Sequence, residues 1–128
     1  MRRIAKGALA ALLLAGLSTG ASWQAWAQSG NSYLRPIAKT HTIPPYPPES
    51  VAAQEQGLTV IEVHLTDQGV VDDCRIYRSS GSDRLDQAAC AHVQAVWRWL
   101  PPTVDGKPIA ISTRVSIQWD LKMAQQQQ

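Results

Sequence analysis

The sequence has two cysteines, three histidines and no strong charge bias, and each shortage removes a class of function. With no C-x-x-C spacing, thiol oxidoreductase chemistry is not expected. Cys74 and Cys90 are too few for a standard zinc site, and His41, His64 and His92 do not fall at ligand spacing, so no metal is expected. Lys and Arg number 12 against 10 Asp and Glu, which gives no electrostatic case for nucleic acid or a membrane surface. Ser79-Ser80-Gly81-Ser82 is rich in hydroxyls but lacks the G-x-S-x-G nucleophile context and a convincing base. Gly57, Gly69, Gly81 and Gly106 separate elements and form no phosphate cradle. Asp72 and Asp73, adjacent on an expected strand, should point to opposite faces and act as solvated charges. With no acid, base and nucleophile to assemble, the chain is not expected to be an enzyme or to hold a cofactor.

The sequence also lacks an apolar run long enough to cross a bilayer. Gly7 to Leu17 is the longest stretch, about half of the roughly 20 residues a spanning helix needs. It follows the basic Met1–Lys6 and precedes Ala25-Trp26-Ala27, a small-x-small site. This pattern reads as a secretory signal over residues 1–27. An uncleaved anchor from Ile4 to Trp26 is the alternative. Cleavage after Ala27 would leave 101 residues, enough for one small domain, with nine basic and ten acidic groups. Export would also let Cys74 and Cys90 oxidise, and as the only cysteines they have one pairing.

What is present is a short series of elements. Residues 28–42 are polar and without period, and read as a linker. Ile43-Pro-Pro-Tyr-Pro-Pro48 can form neither helix nor central strand, and reads as an extended arm. Pro48 to Gln56 suits a short helix with Pro in its first turn and Gly57 after it. Leu58 to Thr66 alternates, with Ile61, Val63 and Leu65 on one face, which is a half-buried strand. Asp67-Gln68-Gly69 turns the chain into a partner strand, Val70 to Arg78, whose inner face should hold Val70, Cys74 and Ile76. Ser82 or Asp83 caps a helix running to about Arg98, with Leu85, Ala89, Val93 and Val96 at helical spacing. Cys90 beside that stripe would lie over Cys74. Trp97 and Trp99 bracket the helix end, and at least one should close the core. After a turn at Val104–Pro108, the odd positions from Ile109 to Leu121 are largely apolar, a long strand with Ser112, Arg114, Ser116 and Gln118 on its other face. Residues 122–128 read as a frayed tail. The predicted fold class is α+β, a three-stranded antiparallel sheet with two helices packed on one face.

The ordered pieces carry a resemblance. Tyr46-Pro47, then Gly57-Leu-Thr-Val-Ile-Glu-Val, Asp67-Gln-Gly-Val-Val, Ser79-Ser80-Gly81, Leu85-Asp86-Gln-Ala88-Ala89 and Trp97-Arg-Trp-Leu-Pro follow one another as in a TonB carboxy-terminal domain. The match covers roughly residues 43–121. The resemblance implies a periplasmic module that takes the TonB box of outer-membrane transporters as an added strand. Some exported relatives look similar in carrying the same strand-to-helix cysteine pair. Full-length members also have an anchor helix with a histidine and a long proline-rich spacer. Here the leader has no such histidine, and 15 extended residues reach on the order of 50 Å. The family's glutamine three residues before Tyr-Pro is Ile43 in this chain.

Two functional expectations follow. The first is a periplasmic module that binds a TonB box, or another envelope protein, at the free edge of the last strand. Ser112, Arg114, Ser116 and Gln118 would flank the added strand, and Ile43 and Tyr46 would contribute from the arm. Self-pairing of that edge into a homodimer is its competitor. The second is a membrane-anchored energy transducer that retains residues 1–27. An envelope structural or assembly role could use the same edge.

Overall fold

The computed structural model describes residues 30–128, so the expected signal over 1–27 lies outside the described residues. Its centre is an antiparallel sheet of three strands. β2 (Gly57–Leu65) lies between β3 (Val71–Arg78) and β7 (Ile111–Trp119). Helix α2 (Asp83–Val96) packs on the β3 and β2 side of one face. A shorter helix, α1 (Pro48–Ala52), precedes the sheet. The α+β class and the three-stranded sheet are therefore as the alternation in the sequence predicts. The odd residues of β2 are buried: Thr59, Ile61, Val63 and Leu65. They meet Leu85, Ala89 and Val93 of α2, the i, i+4, i+8 stripe. The Cys74–Cys90 disulfide joins β3 to α2 across this layer, with Cα atoms 5.9 Å apart.

Two β-bulges change the reading of β3. Its register to β2 slips between His64 and Leu65 and again between Val60 and Ile61. His64 faces Asp73 and Leu65 faces Val71, leaving Asp72 as the extra residue. A bulge reverses the alternation locally. Val71, not Val70, therefore enters the core. Asp72 and Asp73 do not take opposite faces. Both lie on the outer face beside His64, whose Nδ1 is 2.6 Å from Asp72 Oδ1.

The segments expected to be unstructured are built into the domain. Residues 30–42, read as a linker, lie along the chain that follows α2. β1 (Arg35–Pro36) pairs with β4 (Trp99–Leu100). Ser32 and Thr103 exchange backbone hydrogen bonds at 3.1 and 3.2 Å. Asn31 caps the hairpin of β5 (Thr103–Val104) and β6 (Lys107–Pro108) by accepting from the Asp105 N–H. This segment has no hydrophobic period because it contributes backbone pairing, which leaves little trace in side-chain pattern. The expected tail is likewise ordered. Leu121–Gln126 forms helix α3, N-capped by Asp120, whose carboxylate accepts from the Lys122 N–H. The predicted strand therefore stops at Trp119, and Leu121 belongs to the helix. The helix expected over 48–56 ends at Ala52, because Gln54 takes a positive φ of 55°.

Candidate functional site

The sheet has two outer edges, and they differ. β3 carries both bulges and a row of exposed charged residues, features that discourage pairing with another strand. β7 pairs with β2 in unbroken register over nine positions, from Gly57↔Trp119 to Leu65↔Ile111. Its far side has no strand neighbour among the described residues. No backbone hydrogen bond joins the arm to β7 among the described residues. Neither edge has a strand neighbour among the described residues, and β7 is the regular one of the two.

The arm lies beside this edge and is held in place from both ends. At one end His41 packs between Trp97 and Trp99, at centroid distances of 4.3 and 4.6 Å. The Trp97 indole N–H donates to the Thr42 carbonyl at 2.9 Å. His92 Nε2 lies 3.1 Å from the same carbonyl. Trp99 is buried and closes the core, while Trp97 is half-buried and clasps the arm. At the other end the Tyr46 N–H donates to Gln127 Oε1 and the Gln127 amide donates to the Pro44 carbonyl. Tyr46 is 9% exposed, packs edge-on against Trp119, and donates its hydroxyl proton to the Glu55 carbonyl. Burial pushes the Tyr46 phenol above its ordinary value, and the Asp120 and Glu55 carboxylates push it the same way. Ile43, between these anchors, is 60% exposed.

The six residues named from sequence are placed as follows. Ile43 and Ser116 line one cleft of about 300 Å³ between the arm and the C-terminal half of β7, together with Trp97, Ile117 and Met123. Gln118 borders the same cleft, and its amide donates to the Gly57 carbonyl at 3.3 Å. Arg114 turns back over the outer face of the sheet. Its Nε is 3.4 Å from Glu62, and its guanidinium lies 3.7 Å from the Tyr77 ring centroid. Glu62 also meets Arg75 at 3.3 Å, so one carboxylate of the central strand ties both flanking strands. Ser112 lines a polar recess with His64 and Asp72. Tyr46 sits in the core below the arm.

A buried polar network supports the site and was not foreseen. Asp86, 4% exposed on α2, accepts from Ser79 Oγ, from Ser80 N–H and Oγ, and from Thr59 Oγ1. Thr59 in turn accepts from the Trp119 indole N–H at 3.1 Å. The chain of bonds therefore runs from the Ser79–Gly81 corner through α2 and β2 to the end of β7. Burial pushes the Asp86 carboxyl up, but the Ser79, Ser80 and Thr59 hydrogen bonds outweigh it and hold the group below its ordinary value. The signal available in the sequence was a threonine at an inward position of β2 and an aspartate next to Leu85 on the apolar stripe. Among the described residues no cluster of His, Cys, Asp and Glu could hold a metal ion.

This sheet, arm and corner match a known family. The model of the Gram-negative bacterial TonB protein C-terminal domain covers residues 42–121. The chain belongs to the TonB C-terminal domain family. It is 38% identical over 71 residues to Protein TonB of Pasteurella multocida (strain Pm70). That alignment covers 56% of this chain and 27% of that protein, so the chain spans about a quarter of the relative's length. The fold is similar to that of a Pseudomonas aeruginosa TonB CTD solved by solution NMR. The TM-score is 0.52 at 23% identity, covering 70% of this chain and 87% of the other.

Proposed function

We infer that this TonB C-terminal domain is a binding module of the bacterial envelope that serves TonB-dependent transport by accepting an extended peptide on β7. The observation that carries this reading is the regular nine-residue strand with one side unpaired, while the opposite edge, β3, is interrupted by bulges. An antiparallel or parallel guest would use the alternate N–H and C=O groups that face away from β2. Net worth is about 0.5–1.5 kcal/mol per hydrogen bond, so several bonds are needed to offset the cost of association. The cleft at Ile43, Trp97 and Met123 would add a side-chain contact and hence selectivity. The guest of choice is the TonB box of an outer-membrane transporter, met in the periplasm. No helix among the described residues is long and apolar enough to cross a membrane.

Titration of the domain with TonB-box peptides by calorimetry tests the reading. Saturable binding in the micromolar range is expected, with chemical-shift changes concentrated on Ile111–Trp119. Absence of heat at high micromolar concentration for several boxes would remove it. Ultracentrifugation of the free domain addresses the competing use of the same edge. A dimer that dissociates as peptide is added would place both on β7.

A further inference from the structure

The cleft at the β7 edge does not end there. Ile43, exposed between its two anchors, is a wall of that cleft and of a second, larger groove of about 690 Å³. The second groove lies between the arm, α1 and α3, and Tyr46, Val51, Ala52, Ala124 and Gln127 contribute to it. Its size is within the roughly 300–1,000 Å³ of built ligand pockets, and its exposed lining is mainly apolar. The groove is held open by the structure rather than by chance packing. Gln127 bonds both the Tyr46 N–H and the Pro44 carbonyl, fixing α3 to the arm, and the proline-rich arm has few backbone conformations to lose. Met123 of α3 borders the first cleft and Ala124 the second, so the helix forms a common wall. The geometry favours one occupant. Ile43 lines both the cleft along Ser116–Gln118 and the groove, so the two are continuous at the Trp119 end of β7, and a strand paired there has the groove as its continuation.

We propose that the groove between the arm, α1 and α3 receives the two or three residues that flank the added strand, and that these flanking residues are apolar. This rests on strand addition at β7. The domain then reads a guest in two parts, a backbone-recognised strand and an apolar extension on the side of Trp119. The extension confers selectivity that the backbone bonds alone lack.

The test uses the full domain and a seven-residue TonB-box peptide. The peptide is compared with versions lengthened at either end by Leu-Pro-Leu or by Ser-Gly-Ser. Leu-Pro-Leu at one end should tighten binding about tenfold over Ser-Gly-Ser at that end, and the other end should show no difference. Ala52→Glu places a charge on the exposed α1 wall of the groove. It should abolish the gain while leaving the seven-residue peptide's affinity unchanged. Equal affinity for both extensions at both ends, with the short peptide bound, overturns the groove and leaves the edge reading standing. A gain that Ala52→Glu does not alter also overturns the groove. If the short peptide fails to bind, the edge reading falls. The groove proposal, which rests on that reading, falls with it.

Discussion

Replacing Asp86 by alanine should destabilise the domain more than any exposed substitution, because a single carboxylate joins three elements. The side chain accepts four hydrogen bonds at 2.5 to 2.9 Å. The Ser79 and Ser80 hydroxyls lie toward the surface and can turn to water. The Ser80 N–H is fixed in direction, and the Thr59 hydroxyl is buried, so these two donors bear the loss. An unpaired buried donor costs about 1–3 kcal/mol, which gives roughly 3 kcal/mol for the pair. A small domain has about 5–15 kcal/mol in total. With a urea slope of about 1–3 kcal/mol/M, the unfolding midpoint should fall by about 1–3 M. Asp86→Asn retains the shape but has one acceptor oxygen instead of two, and should fall between wild type and alanine. The acid limb gives a second readout. Because Asp86 is depressed in the folded state, its contribution is fully present above the unfolded value near 3.8. It is lost as pH falls through the lower folded value. Asp86→Asn should therefore flatten the loss of stability on acidification. Urea melts at pH 7 and at intervals from pH 5 to 2 measure both effects. A cost below about 1 kcal/mol for Asp86→Ala, or an unchanged acid slope for Asp86→Asn, would refute the assignment of this network as a principal tie between helix and sheet.

Other consequences are open to measurement. Gly69 has a φ of 78° and a Cβ there would overlap the Trp99 carbonyl, so Gly69→Ala should cost about 1–3 kcal/mol and lower the thermal midpoint. Reducing the Cys74–Cys90 bond, or replacing both cysteines by serine, should cost about 3 kcal/mol for a loop of this separation, seen as a lower urea midpoint with the far-UV spectrum retained. Trp97→Ala removes the clasp on His41 and Thr42, and amide exchange of residues 38–43 should accelerate at least tenfold while β2 stays protected. Fractionation of a host cell followed by amino-terminal sequencing should find a periplasmic product beginning at Gln28. A membrane-bound product with Met1 intact would instead favour the anchored transducer.

Much of the central layer was legible because side-chain alternation and helical spacing report burial directly. Ile61, Val63 and Leu65, then Leu85, Ala89 and Val93, and Ile117 and Trp119 are buried where those periods place them, whereas Val115 is half-buried and Ile76, Val96, Ile109 and Ile111, expected on inner faces, are exposed. The bulge at Asp72 was not legible, since one extra residue reverses the alternation and nothing in Val70-Val71-Asp72-Asp73 marks it. The clasp on the arm was missed for a different reason. His41 packs on the Trp97 and Trp99 rings, the Thr42 carbonyl accepts from Trp97, and Gln127 bonds the arm backbone at Pro44 and Tyr46, all across more than 50 residues, and such contacts impose no local period.

The sequence by itself determined the class of fold, the single cysteine pair and the order of elements that places the chain in its family. These follow from local spacing and from counting. Which of the two open edges of the sheet is regular, and that an arm and a terminal helix meet beside it, was decided only by tertiary structure. Those features depend on strand register and on contacts between distant segments, and no window of neighbouring residues contains them.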